Sequence, residues 1–155
     1  MFPRFSLQAV LDYRSSLVEA LEIELGRLTA ALLRARTILE AMREKRTNLI
    51  GELRSSMLGE LNLIKISQLR TNIELLDVRI AHQEEEVERI AQEVEAKRQE
   101  LVKARQDEEV LVILKEKAIT AFQNEMKLRE NKTQDDVYIA SHYQKQLKEA
   151  EQKNG

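Results

Sequence analysis

A heptad repeat of apolar residues in the first third of the chain constrains its fold more than any other feature. Apolar side chains recur there in alternating steps of four and three residues, with two arginines as interruptions. The positions are Leu7, Leu11, Arg14, Val18, Leu21, Leu25, Leu28, Leu32, Ala35, Leu39, Met42, Arg46, Leu49 and Leu53. A 3.5-residue repeat held this long is typical of a helix wound against a partner, because the stripe of a lone surface helix drifts around its axis. The pattern predicts a first long helix.

The ends of this first helix are also marked in the sequence, at about residues 5 and 57. Pro3 suits the first helical turn or the residues just before it, and Ser6 is an acceptable N-cap. The stripe loses its phase where small and turn-forming residues fall close together: Gly51, Ser55, Ser56 and Gly59. We therefore expect a connection over about residues 58–65.

A second stripe follows this connection and predicts a second, longer helix over about residues 66–150. Its positions are Ile66, Leu69, Ile73, Leu76, Ile80, Gln83, Val87, Ile90, Val94, Lys97, Leu101 and Ala104. Beyond Ala104, the apolar residues Leu111, Leu114, Ala118 and Ala121 continue the stripe only if its phase shifts by three residues, which is a stammer. No glycine or proline occurs from Gln68 to Lys153, so the helix need not stop there.

Two long helices joined by a short connection are expected to fold back on each other. The predicted fold is all-α: an antiparallel coiled-coil hairpin, forming a single domain over residues 1–155 and present as a monomer. Matching the stripes places Arg46 near Asp77 and the arginine-rich first helix beside Glu84–Glu88. Because the first helix is shorter, residues past about 120 have no partner there and should form a C-terminal single-helix overhang.

Composition argues against an enzyme and against a nucleic-acid-binding protein. The chain has four glycines, one proline and no cysteine, and it contains none of the glycine-rich motifs that hold phosphates or nucleophiles. His82 and His142 are sixty positions apart, and Glu84, Glu85, Glu86 and Glu88 spread around a helix surface, which is typical of a solvated face. We predict no catalytic residue, metal or cofactor. The 25 basic and 27 acidic residues disfavour nucleic acid.

Two groups of apolar residues are candidate contact surfaces. All six aromatic residues lie outside positions 14–121, so the hairpin should gather them at its terminal end. The run Val110–Leu114 covers every side of a helix, and the seam would bury Leu111 and Leu114 but not the rest. The candidate docking tip comprises Phe5, Tyr13, Val110, Val112, Ile113 and Phe122. The alternative is that the N-terminal segment covers this run as a local core. At the turn end, Leu61, Leu63, Ile64 and Leu69 form a second candidate surface.

Two stretches of the chain resemble the FliJ family of the bacterial flagellar type III export apparatus. The opening Phe5-Ser6-Leu7-Gln8-Ala9-Val10-Leu11-Asp12-Tyr13-Arg14 is similar to the start common in that family. The second stretch is similar to the family's C-terminal signature. It runs from Arg98-Gln99-Glu100-Leu101 through Ala104, Leu114-Lys115-Glu116-Lys117, Phe122, Glu125, Glu130, Lys132 and Asp135-Asp136 to Tyr143.

The resemblance implies a non-enzymatic stalk similar to the rotor stalk of rotary ATPases, with its terminal end in the pore of the hexameric export ATPase. It also implies contacts with the cytoplasmic domain of the export gate and with export chaperones. The family's gate contact often includes aromatic residues near the turn end, where this chain has Leu69, Ile73, Leu76 and Ile80. We expect a cytoplasmic protein at the inner face of the membrane, associated through its partners only.

Three other functions fit the sequence pattern. The chain could be a holdase-type chaperone that grips unfolded clients with exposed apolar ends, or a plain structural spacer. It could also be the equivalent stalk protein of a virulence-type secretion system.

Overall fold

Two helices make up the regular structure of the described residues. A computed structural model describes residues 4–154, with helix α1 at Gln8–Ser56 and helix α2 at Leu63–Lys153. The predicted all-α architecture of two long helices, the second longer than the first, is confirmed. Helix α1 begins about three residues after its predicted start, and α2 begins about three residues before its own. At the first, a turn in which the Gln8 amide donates to the Phe5 carbonyl at 3.1 Å precedes the regular helix.

The connection between the helices is shorter than the sequence suggested, spanning residues 57–62. The end of α1 tightens, with the Met57 amide 3.2 Å from the Arg54 carbonyl. Gly59 follows with a φ of 79°, in the left-handed region that favours glycine. Helix α2 starts early because the Asn62 side-chain oxygen accepts a hydrogen bond from the Lys65 amide at 3.2 Å, which is an N-cap. This asparagine was not part of the predicted connection's helix signals, which were Gly51, Ser55, Ser56 and Gly59.

The chain divides into two compact units, which are described separately. The hairpin unit comprises Arg14–Gln106 and so contains most of α1 and the first half of α2. The terminal unit comprises the described residues of 1–13 and 107–155.

In the hairpin unit, the predicted stripes form the seam between the helices. The buried side chains all come from predicted stripe positions: Val18, Leu21, Leu32, Ala35, Leu39, Leu69, Leu76, Ile80, Ile90, Val94, Leu101 and Ala104. All of them except Leu69 form three clusters along the seam, each with side chains from both helices. Burial of these residues is the main favourable contribution to the hairpin's stability, since it removes apolar surface from water.

Ion pairs across the seam show that the helices are antiparallel and in which register they pack. Arg46 pairs with Asp77, as the matched stripes predicted. Arg105 Nη2 lies 2.9 Å from Glu22 Oε1, so the early part of α1 faces the late part of this stretch of α2. These pairs are largely exposed, so each adds little to stability, and the seam residues contribute most of it.

Two of the polar interruptions in the α2 stripe reach across the seam. Gln83 Nε2 donates a hydrogen bond to the Ala35 carbonyl at 2.9 Å. Lys97 Nζ lies 2.9 Å from Glu24 Oε2 and 3.2 Å from Glu100 Oε2. Hydrogen bonds to Glu24 and Glu100 raise the pKa of Lys97, and the hydrogen bond from Lys97 lowers the pKa of Glu24. These side chains therefore bridge the two helices at positions where an apolar residue would be expected.

In the terminal unit, the phase of the stripe differs from the sequence-based prediction. Leu111 is buried, but Leu114 is exposed, and half-buried stripe positions follow at Lys115, Ala118 and Phe122, with Val112 and Ile119 half-buried beside them. The three-residue phase shift was therefore wrong: α2 keeps its steps of three and four, with polar Glu108 and Lys115 at stripe positions. Polar residues there hid the true phase, and their long side chains can extend towards solvent from a half-buried site.

Beyond Phe122, every described residue of α2 is exposed, which confirms the predicted single-helix overhang. Among the described residues, neither helix contains a stretch that is both long and apolar enough to cross a membrane.

Candidate docking surfaces

The described residues hold no group of three or more histidine, cysteine, aspartate or glutamate side chains that could bind a metal. Both histidines are exposed, and the ring of His142 stacks on that of Tyr138, with centroids 6.3 Å apart and planes 4° apart. The acidic run around Glu86 spreads over the surface, where Arg89 contacts Glu86 and Glu93. Candidate contact surfaces on the described residues are therefore sought among the exposed apolar side chains.

An exposed apolar face lies on α2 in the terminal unit. Val110 is 58% exposed, Ile113 41% and Leu114 42%. Their spacing of three and four residues places them on one side of the helix. We call these three residues the α2 patch. Of the predicted set of Val110, Val112 and Ile113, the first and last are exposed and Val112 is half-buried, whereas Leu114, which the seam was expected to bury, is exposed.

The aromatic residues contribute less exposed surface to the terminal unit than their number suggests. Phe5 and Phe122 are half-buried, whereas Tyr13 is exposed. On the overhang, Tyr138 and Tyr143 are exposed together with several aliphatic residues that sequence analysis did not single out: Leu128, Val137, Ile139 and Leu147. The absence of a partner helix past Phe122 is the signal by which they could have been found. Phe2 lies outside the described residues.

The connection between the helices carries a second exposed apolar surface. Leu61, Leu63 and Ile64 are exposed, as predicted, and Leu58 joins them. We call these four residues the turn patch. Leu69, which the sequence placed with them, is buried at 6% exposure, because it lies on the seam face of α2. Its side chain is therefore not available to a partner.

The residues that the family resemblance suggested for a gate contact are also seam residues. Leu76 and Ile80 are buried with Leu69, and Ile73 is half-buried. On the same stretch of α2, the exposed apolar side chains are Leu75 and Val78, at 57% and 56% exposure. They lie three residues apart and share a face of the helix, so a third, smaller surface exists that the stripe analysis missed.

Comparison with protein families identifies the lineage of the chain. Residues 3–147 match the family described as flagellar FliJ protein, which covers nearly the whole sequence and both long helices. Comparison with curated proteins and with solved structures gives no significant match. The matched region includes the two stretches on which the resemblance was based. The chain therefore belongs to the flagellar FliJ protein family.

Proposed function

We propose that this protein is a stalk and docking component that couples the flagellar export ATPase to the rest of the export apparatus. As a member of its family, the chain is a non-catalytic component of flagellar export. The proposal adds that its terminal unit enters the pore of the hexameric ATPase ring. It also adds that the turn patch contacts the export gate or export chaperones, on the cytoplasmic side of the membrane.

The observation that carries this proposal is the α2 patch. Val110, Ile113 and Leu114 leave a group of neighbouring apolar side chains exposed to water on one side of α2. Exposed apolar surface of this kind is typical of an interaction site, because burying it against a partner is favourable. The overhang adds a slender helix with exposed tyrosines, a shape suited to a narrow pore.

The turn patch supports a second contact, on a unit that has no described aromatic residue. Its residues are aliphatic, whereas every described aromatic residue belongs to the terminal unit. Distinct side-chain types on the two units favour distinct partners. Leu75 and Val78 lie nearer to the turn than to the end of α2 and are candidates for the gate contact in place of the buried Leu69, Ile73, Leu76 and Ile80.

The proposal is tested by mixing the full-length protein with a purified flagellar export ATPase. We expect the two to co-elute in gel filtration and ATP hydrolysis to rise. The matched control is Leu61→Ser with Leu63→Ser in the turn patch, which should leave co-elution and stimulation unchanged while weakening binding to the gate domain or to an export chaperone. If the turn-patch variant remains helical but no longer stimulates ATP hydrolysis, then the two contacts have been assigned to the wrong ends of the protein.

A holdase-type chaperone is a second candidate function, favoured by the exposed aliphatic and aromatic side chains of the overhang. This function predicts that the protein suppresses aggregation of a chemically unfolded client without any ATPase present. Deleting the overhang would abolish that suppression. Equal suppression by the shortened chain would remove the support that the overhang gives to this function.

A further inference from the structure

The outer face of α1, within the hairpin unit, carries an apolar stripe that the seam does not use. Five exposed residues recur there in steps of three and four: Ile23, Gly26, Ala30, Leu33 and Thr37. Ile23 is 65% exposed and Leu33 68%. The Thr37 hydroxyl donates to the Leu33 carbonyl at 2.9 Å, so its polar group already has a partner inside the helix. We call this set the outer stripe; it is about 21 Å long at the rise of an α-helix.

Gly26 is the feature of the outer stripe that the hairpin itself does not explain. Glycine inside a helix costs about 1 kcal/mol relative to alanine. A Cβ at this position would meet nothing within 4 Å, and Gly26 is not among the residues with positive φ. Neither packing in the hairpin unit nor backbone conformation therefore requires glycine. A missing side chain between Ile23 and Ala30 does allow the backbone of another helix to approach closely.

Basic side chains flank the outer stripe on both sides. Heptad geometry places Arg27 and Arg34 along one edge and Arg36 along the other. Within the described part of the chain, Arg34 and Arg36 form no ion pair, although arginines elsewhere in the hairpin unit do. A partner helix with carboxylates on both edges of its apolar face would pair with these guanidinium groups.

We infer that the outer stripe is a docking site for an acidic amphipathic helix of another protein, about four turns long, with its backbone seated over Gly26. A second copy of this chain fits less well, because an antiparallel pairing of two outer stripes would bring Arg27 opposite Arg34 of the other copy. A lipid surface would not require a glycine at position 26, since lipid has no polypeptide backbone that must approach α1 closely. The site is separate from the α2 patch and does not depend on ATPase docking.

The test uses the full-length protein and a synthetic fluorescein-labelled peptide, measured by fluorescence anisotropy. The peptide is a helix about five turns long, with leucine and alanine at heptad spacing and glutamate on both edges of the apolar face. We expect saturable binding. A second peptide with lysine in place of each glutamate should bind at least about tenfold more weakly, because it repels Arg34 and Arg36.

Gly26→Leu is the decisive variant, and Gly51→Leu is its matched control. Both glycines lie in α1, and a Cβ at either meets nothing within 4 Å, so both variants should fold and gain helix propensity. Only Gly26 is flanked by the apolar residues of the outer stripe. Gly26→Leu should weaken binding of the acidic peptide at least about tenfold, equivalent to about 1.4 kcal/mol, whereas Gly51→Leu should not change it.

Three results would overturn the inference. The first is an acidic peptide that does not bind, or that binds equally to wild type and Gly26→Leu. The second is that wild type binds phosphatidylglycerol-containing vesicles and Gly26→Leu binds them more tightly. That result would assign the outer stripe to a lipid surface. The third is a dimer by light scattering that Gly26→Leu converts to monomer, which would make a second copy of the chain the occupant.

Discussion

Placing charge in the α2 patch should remove ATPase docking without unfolding the protein. The double change Val110→Glu with Ile113→Lys affects two residues that are 58% and 41% exposed, so little packing is lost. Glutamate and lysine are strong helix formers, whereas valine and isoleucine are weaker, so helix propensity should rise slightly. Helicity by circular dichroism and the melting temperature should therefore stay close to those of the wild type.

The expected loss of binding follows from the surface that these residues leave in water. Full burial of a Val or Ile side chain contributes about 1.5 to 3 kcal/mol, and roughly half of that remains to be gained by each. Together they offer about 1.5 to 3 kcal/mol to a partner, and burial of a new charge adds to the cost. Affinity for the ATPase should fall by a factor of about 10 to 100 or more.

The assay is stimulation of ATP hydrolysis across a titration of the stalk protein, with co-elution as a second measure. Leu75→Glu with Val78→Lys is the matched control, since these residues lie on the same helix at the same spacing and at similar exposure. The control should stimulate like the wild type. If it loses stimulation as the patch variant does, the α2 patch has no special role in docking.

A drop in melting temperature would refute the reasoning in a different way. If the patch variant unfolds well below the wild type, then Val110 and Ile113 contribute to a core, as in the alternative that the N-terminal segment covers this run. The docking surface would then have to be sought at Phe122 and along the overhang.

Three further predictions concern the hairpin itself. The protein should be a monomer by light scattering at all concentrations, because Arg46 and Asp77 meet within one chain; a constant dimer mass would mean that the stripes pair between chains. Leu101→Ala, at 4% exposure, should lower the free energy of unfolding in urea by about 2 to 4 kcal/mol, whereas its neighbour Val102→Ala, at 45%, should cost less than about 1 kcal/mol. The lowered pKa of Glu24 means that its pairing with Lys97 contributes stability at pH values above the ordinary carboxyl pKa of 4.5, and that this contribution is lost as the pH falls through the folded-state pKa. Lys97→Met should therefore reduce the loss of stability between about pH 7 and about pH 3, measured as the urea midpoint, and an unchanged loss would show that the pair adds nothing to folding.

Periodicity along the chain was enough to predict the seam of the hairpin unit. Each predicted stripe position from Arg14 to Ala104 is buried or half-buried, because alternating steps of three and four keep one face of a helix turned towards a partner. The pairing of Arg46 with Asp77 followed from the same arithmetic, since a short connection leaves little freedom in register. The overhang followed from the unequal lengths of the two stripes.

The exposed surfaces depended on tertiary structure, because a sequence pattern shows which residues are apolar but not which of them a neighbour covers. Leu69 and Leu61 are both leucines near the turn, yet only Leu69 is buried, because it lies on the seam face of α2 whereas Leu61 lies in the connection before the Asn62 cap. Polar Glu108 and Lys115 concealed the phase that exposes Leu114 and half-buries Val112. In the sequence, Gly26 is a residue of low helix propensity inside a predicted helix. Only the open space around it, on a face lined by Ile23 and Leu33, shows that the hairpin has no need of a glycine there.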